Sequence, residues 1–546
     1  MQTDILKKFS EHGTFIQPDA LDHIMAQEQP EDYTTHYLST NKQLPLILTK
    51  KELLSYEKKE HSKDQEPLIT NPAKQAQHHI LKQLYDPKPT HPEEETQEQE
   101  DIGTELNSRE HKTEEEPTID IKKVHSWHPA AKDYTSDVKI LKDITGKSTC
   151  QGKTEDFKKL FQHRYETITA LLKKQRRELG NLISINRIND STTDLCLIGI
   201  VNEIKTTKNG HKRIELEDET GSTTIMVLKD HDVYDKATLL MNDEVIGITG
   251  TLSKNGDLII AKNIIYPDIK MHNERNSAYD PVFAAFASDI HVGSNAFMQD
   301  QWNAFLKWIN GDLGNSRQRE VAGRIKYLIL PGDVVDGIGI YPGQEDDLTI
   351  ANLTKQYEEL ATQLQQIPDH ITIIMQPGNH DAVRPAEPQP TFSKDIRELF
   401  TGGHYLFLGN PSTFTVHDVE ILSYHGVSLL DFATNIQTLN YNQPTPIMKH
   451  MLQKRHLAPA YGGYTPLAPE HIDYMIIDRS PDIFVTGHVH ITSIENYRGV
   501  NLINASAWQS QTEYQKMMNF VPDPAKLPIV DLKSGIPSIM DFSKPF

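Results

Sequence analysis

Cysteine is nearly missing from this chain, with two in 546 residues, Cys150 and Cys196. Two thiols cannot build a disulfide framework, which points to a reducing compartment. Long apolar runs are missing as well. No stretch approaches the ~18 apolar residues of a membrane span, and no apolar leader core follows Met1, so a soluble, cytoplasmic protein is expected. Apolar residues make up only 37% of the chain, so part of it is expected to stay unstructured. Positive charge is also short. The net charge of −20 has the wrong sign for a surface that holds a polyanion by itself. The shortage is local, however: Glu93 to Glu116 holds eleven carboxylates and two basic residues, a net of −9. The remainder is mildly acidic, so affinity for a polyanion would come mostly from a partner and from bound metal.

What the chain does have is five short clusters in its second half. They are Asp289-Ile-His291, Gly332-Asp333-Val-Val-Asp336-Gly337, Gly378-Asn379-His380-Asp381, Tyr424-His425-Gly426 and Gly487-His488-Val-His490. Each follows a run that reads as a buried strand: Phe283 to Ala287, Tyr327 to Leu330, Ile371 to Met375, Val419 to Ser423 and Ile483 to Val485. Ligands gather where the strands of such sheets end, so five strands releasing Asp, Asn and His on one side predict one pocket. Carboxylate, amide oxygen and imidazole together suit Mn, Fe or Zn better than Ca. Two metals about 4 Å apart need a bridging ligand, and Asp333 is the candidate. Taken singly, Asp-x-His is background and Gly-Asp-x-x-Asp-Gly is more often an ordinary turn. The five in order, each at a strand end, point to a dinuclear site.

Along the chain, residues 1–55 read as a small helical domain, with Ile5, Leu6 and Phe9 on one face and Leu21, Ile24 and Met25 on another. Residues 56–153 are dominated by polar and charged residues and read as a disordered acidic linker, with Trp127 in a solvated tether or a short recognition motif. A connecting helix is expected over 154–190, its apolar stripe ending in Lys173, Lys174, Arg176 and Arg177, a cluster the helix dipole favours with or without DNA. Residues 191–270 read as three strands, a helix and two strands, with hairpin turns at Asn209-Gly210 and Asn255-Gly256, which is the OB-fold order. Its strands carry almost no aromatics, which favours docking over single-strand binding. Residues 275–546 alternate strands and helices, as a layered α/β sandwich does. The tail from Pro528 to Phe546 reads as apolar and irregular.

At the five clusters the sequence resembles the calcineurin-like metallophosphoesterases. The stretches Gly378 to Pro390 and Ala507-Trp-Gln-Ser-Gln-Thr-Glu-Tyr514 resemble, more narrowly, the small exonuclease subunits of archaeal family D DNA polymerases. The resemblance runs from about Thr193 to the C-terminus, and more loosely over the N-terminal helices. It implies an OB-fold followed by an αββα-sandwich phosphoesterase domain. It also implies two divalent metal ions, Mn first, with Fe, Zn or Mg as other candidates. Asp289, His291 and His490 would bind one metal, Asn379, His425 and His488 the other, and Asp333 both. His380 would protonate the leaving oxygen, with Asp381 orienting it or merely starting a helix, and Asp336 in support. The implied activity is 3′ to 5′ removal of nucleotides from single-stranded or mismatched DNA ends. The implied partner is a large catalytic polymerase subunit, since no nucleotidyl-transfer domain is visible here. The Gln511-x-x-Tyr514-x-x-Met517-Met518 spacing is similar to a sliding-clamp-binding peptide, although a core helix explains the same residues. The competing readings are an inactive scaffold subunit and a phosphatase or phosphodiesterase acting on another ester.

Overall fold

The structure, a computed structural model, describes residues 127–189, 194–517 and 520–545, together with parts of the first 56 residues. It divides into two compact units, Met1–Lys112 and Thr113–Phe546. In the first, helices Pro18–Met25 and Pro30–Thr40 accompany a parallel pairing of Phe15–Ile16 with Ile47–Leu48. Ile5, Leu21, Ile24, Tyr37 and Leu53 form its core. Leu6 and Phe9 lie outside the described residues, as do residues 57–126 of the expected linker.

Residues 127–153 are folded, which corrects the expected linker boundary. Strand β1 (Val138–Lys142) pairs along the edge of a sheet, and the Trp127 indole lies against Gly311 and Gly323. The sequence hides β1 because an edge strand keeps its central residues exposed, so its lysines read as solvated tether. Helix α1 (Thr154–Gln175) follows, shorter than expected and closed by a 3-10 turn at Arg177–Leu179. Arg176, from the basic cluster at its end, donates to the carbonyls of Tyr266 and Asp268 at 3.0 and 3.1 Å and so holds the next domain.

That domain is a closed five-stranded barrel. It consists of β2 (Leu195–Thr206), β3 (Lys212–Asp218), β4 (Gly221–Val227), β5 (Val245–Leu252) and β6 (Ile259–Ile265), ordered β2-β3-β4-β6-β5. Helix α2 (Tyr234–Thr238) intervenes between β4 and β5, which completes the OB-fold. Two buried ion pairs fix the barrel and α1 to the C-terminal domain: Glu244 with Lys454 at 2.6 Å and Arg164 with Asp473 at 2.7 Å.

The C-terminal domain is a two-sheet sandwich. One six-stranded sheet comprises β7 (Phe283–Phe286), β8 (Ile325–Pro331), β9 (Thr372–Gln376), β10 (His404–Phe407) and two strands from the C-terminal end. β7 to β10 run parallel. The other holds β11 (Ser412–Val416), β12 (Val419–Ser423), β13 (Ile483–Thr486), β14 (Ser493–Tyr497) and β15 (Val500–Asn504), with β1 at its edge. The C-terminal strands of the first sheet are β16 (Lys526–Asp531) and β17 (Pro537–Asp541), so the tail is regular rather than irregular. Proline would normally argue against a buried strand. Of β16 only Ile529–Asp531 pair with β7, however, which leaves Pro528 outside that ladder.

Phe286, Ile329, Ile374, Phe414, Ile421 and Val485 fill the space between the sheets. Helices α3 (Gln299–Ile309), α4 (Ser316–Arg324) and α5 (Leu353–Leu364) cover the first sheet, and α6 (Leu429–Asn435) and α7 (Pro444–Lys454) the second. α3 forms because Trp302, Phe305, Leu306 and Ile309 recur at helical spacing, and all four are buried. α4 starts where Asn315 and Gln318 cap one another's backbone amides at 3.0 and 2.8 Å. The result is the αββα order expected from sequence. Among the described residues no helix is long and apolar enough to cross a membrane.

Candidate metal centre

Register decides where the clusters go. Phe286 pairs with Ile329 and Pro331 with Gln376, so β7, β8 and β9 release their loops at one edge of the first sheet. Ser423 pairs with Val485, so β12 and β13 do the same in the second. The clusters therefore meet between two sheets rather than along one. Close approach is allowed by glycine: a Cβ on Gly332 would lie 2.5 Å from His425 Nδ1, and one on Gly378 2.7 Å from His425 Cε1. Polar residues of the clusters are strained themselves. Asp289, His291, Asp333, His488 and His490 all take left-handed backbone, with φ of 52°, 54°, 49°, 67° and 53°. Each such residue costs on the order of 1–3 kcal/mol, and such strain gathers at functional sites.

The structure brings the predicted side chains together in two adjoining groups. Ligating atoms of Asp289, His291 and His490 lie within 4.8 Å of one another, as do those of Asp333, His425 and His488. Asn379 joins the second group, its Oδ1 lying 3.0 Å from His425 Nε2. His291 Nε2 and His490 Nε2 face each other at 3.1 Å, and Asp289 Oδ1 stands 3.3 Å from the latter. The two groups are stitched by backbone: His488 N donates to Asp289 Oδ2 at 2.9 Å and His291 N to the Asp333 carbonyl at 3.1 Å. The Asp333 side chain itself stands with the second group, 3.2 Å from His425 Nε2.

The donor set fits a pair of cations. Asp289 Oδ1 is buried and accepts no hydrogen bond, a costly state for a carboxylate oxygen unless a cation is meant to sit there. Two candidate ligand rings are oriented from outside the site. His291 Nδ1 donates to Asp336 Oδ1 at 3.0 Å, and burial lowers the pKa of that ring, which leaves its Nε2 as an inward lone pair. His425 Nδ1 donates to the Pro331 carbonyl, 2.9 Å away, which turns its Nε2 toward Asp333 and Asn379. Burial alone would push the Asp289 carboxyl up, but His490 and His425 hold it down at about 2. Burial likewise opposes ionisation of Asp333, and the surrounding His425 and His380 bring it well below the usual carboxylate range. Burial, then the neighbouring His425, lowers His488 to about 3, so that ring is neutral and free to coordinate. Oxygen and imidazole donors without sulfur suit Mn, Fe or Zn.

Around the two groups lies a supporting set. His380 Nδ1 donates to the Asp336 carbonyl at 2.8 Å, and its ring meets that of His291 edge-on at 4.7 Å. Its own backbone amide donates to Asp333 Oδ1 at 2.8 Å. Asp336 receives Gln509 Nε2 at 3.0 Å and Gln344 Nε2 at 2.9 Å in addition to His291.

Asp381 behaves otherwise than expected. It neither touches His380 nor starts a helix. It turns inward to accept from the amides of Gly378 and Val334 at 2.8 and 3.3 Å and from the Tyr357 hydroxyl at 3.0 Å. Burial, then the Asp333 charge, raises it to about 7. It is the clasp that shapes the loop carrying Asn379.

Comparison with known proteins places the chain in a family. The family model for the DNA polymerase alpha/epsilon B subunits matches residues 284–494, and that for an OB-fold nucleic acid binding domain matches residues 195–270. The DNA polymerase II small subunit of Methanocaldococcus jannaschii is 40% identical over 405 residues, 74% of this chain and 68% of that one. The chain belongs to this family, the DNA polymerase II small subunits. The small subunit of Methanothermobacter thermautotrophicus is 40% identical over 76% of this chain and 84% of its own. That of Archaeoglobus fulgidus is 42% identical over 72% and 78%.

Within this small subunit, Gln344, Gln509 and Gln515 were invisible as site residues in the sequence. Gln515 Nε2 lies 3.1 Å from His490 Nδ1. An isolated glutamine has no spacing signature. Gln509 stood only inside the motif that carried the resemblance, without a role. The helix α8 (Glu513–Met517) is also not the core helix that would explain Tyr514 and Met517, since they are 45% and 74% exposed.

Proposed function

We propose that this DNA polymerase small subunit is a two-metal 3′ to 5′ exonuclease that trims unpaired DNA ends and docks a large catalytic subunit responsible for synthesis. The supporting observation is the meeting of two oxygen-and-imidazole groups around a buried carboxylate oxygen that has no hydrogen-bond partner. Asp289, His291 and His490 would hold one cation, Asn379, His425 and His488 the other, and Asp333 would reach both. Manganese suits the set, with iron, zinc or magnesium as alternatives. When bound, such ions neutralise charge on the phosphodiester and lower the pKa of water.

The chain's own residues do the rest. His291 is oriented by Asp336, and His425 by the Pro331 carbonyl. The proton on His380 Nδ1 is committed to the Asp336 carbonyl, so Nε2 is the atom that delivers a proton to the departing 3′ oxygen. A mispaired end suits such a site because it costs less to unpair than a matched one.

The test uses the protein with Mn and oligonucleotides labelled at either end, beside p-nitrophenyl phosphate. Shortening from the 3′ end supports the reading. No turnover would leave an inactive scaffold, and turnover of the small ester alone a different phosphoesterase. His380→Ala is expected to lower kcat by about 10²–10⁴-fold with metal content unchanged. Asp333→Asn should lower activity and bound metal together.

A further inference from the structure

Two loops leave the metal centre carrying apolar and aromatic side chains outward. The first follows Asp336: Ile338 and Ile340 are 46% and 38% exposed, and Tyr341 comes next. Its base is rigid, because the buried Gln344 donates to the Asp336 carbonyl and carboxylate, both at 2.9 Å, and accepts from Ile340 N at 2.9 Å. The second loop follows Gln509. Its short helix α8 is tied to the centre by Gln515, 3.1 Å from His490 Nδ1. Tyr514, the neighbour of Gln515, reaches across to Tyr341. Their rings are stacked, 5.8 Å between centroids and 20° between planes.

This pair is not explained by folding. A core pair of tyrosines would be buried, whereas Tyr514 is 45% exposed, with Met517 and Val521 beyond it at 74% and 70%. Tyr341 is held from the other side by its hydroxyl, which donates to Asp347 Oδ2 at 3.0 Å. The ring is thus fixed and its plane set before any ligand arrives. Flat, pre-oriented aromatic surfaces are what single-stranded nucleic acid binds without regard to sequence, because every base has a π face. The barrel lacks such surfaces, and the small subunit carries this one at the metal centre instead.

We propose that Tyr341 and Tyr514 form a stacking platform for an unpaired nucleobase at the 3′ end of the DNA strand. The platform selects frayed ends because a base can swing out of the duplex onto it only after leaving its pair. The inference rests on the exonuclease reading for its consequence, but stacking can be measured without hydrolysis. An oligonucleotide ending in 3′ 2-aminopurine is titrated with the full-length protein in metal-free buffer. Wild-type protein is expected to quench the fluorophore on binding. Tyr514→Ala should lose the quench and weaken binding by about 5- to 150-fold, and Tyr514→Phe should retain both.

With Mn, Tyr514→Ala should raise KM for a normal 3′ end by a similar factor and leave KM for an abasic 3′ end unchanged, with metal content as in wild type. Quenching without hydrolysis would keep the platform and overturn only the exonuclease. No quenching by wild type, including the case of a face that takes only a protein partner, would overturn the platform. So would an equal loss on normal and abasic ends.

Discussion

The carboxylate of Asp336 gathers His291 Nδ1, Gln509 Nε2 and Gln344 Nε2, and its carbonyl accepts from His380 Nδ1. One residue thus orients a candidate metal ligand and the candidate proton donor by different atoms. Replacing Asp336 with Ala removes only the side-chain half. The expected outcome is a loss of metal affinity of about 10–100-fold, read by equilibrium dialysis, with His380 still placed by the backbone. An unchanged affinity would mean that His291 is oriented by its surroundings alone. At this scale the sequence was informative where a residue sat at a strand end: all seven candidate ligands, from Asp289 to His490, converge. It was silent for Gln344, Gln509 and Gln515, since an amide that bonds across loops leaves no periodic trace. It misled at Asp381, which follows His380 directly yet points the other way, into the Tyr357 hydroxyl.

Among the elements, the least legible is β1, and its attachment makes a pH prediction. Just beyond it, Glu470 accepts from the Ser148 hydroxyl, from the amide of Thr149 at 2.6 Å and of Cys150 at 3.1 Å, and from Arg384 at 2.8 Å. Burial pushes the Glu470 carboxyl up, but these bonds outweigh it and bring the group down to about 2, from an ordinary 4.5. A carboxylate depressed in the folded state adds stability that is complete above about 4.5 and is lost as pH falls toward 2. Urea unfolding should therefore show Glu470→Gln less stable than wild type at pH 6, and the gap should narrow below about pH 4.5 and close only near pH 2. A gap that stayed constant with pH would assign the loss to packing instead. The barrel strands, by contrast, were readable from alternation and hairpin turns because local chemistry sets them. Which sheet edge β1 joins, and that β16 and β17 complete the first sheet, are matters of long-range pairing that local pattern does not encode.

The whole molecule beyond residue 126 is held as one body by charges that left water. Arg164 on α1 meets Asp473 of the sandwich at 2.7 Å, both 1% exposed, and also donates to the carbonyls of Pro459 and Asp243 at 2.6 and 3.0 Å. His456 Nε2 reaches the same carboxylate at 2.8 Å. Burial opposes the Asp473 charge, and His456 and Arg164 more than restore it, holding the carboxyl far below its usual range. Lys454 and Glu244 make a second pair between sandwich and barrel, also 1% exposed. A buried pair adds little over an apolar match of the same shape, but breaking it strands a charge at a cost of about 3–5 kcal/mol. Because Arg164 also braces the barrel through the Asp243 carbonyl, the stranded charge in Asp473→Ala burdens the helix, the barrel and the sandwich together. The expectation is a single cooperative transition, displaced by that amount, when barrel and sandwich are followed by separate fluorescent labels. A transition confined to the barrel, with the sandwich still folded, would show that the two stand independently and that these pairs only set their orientation.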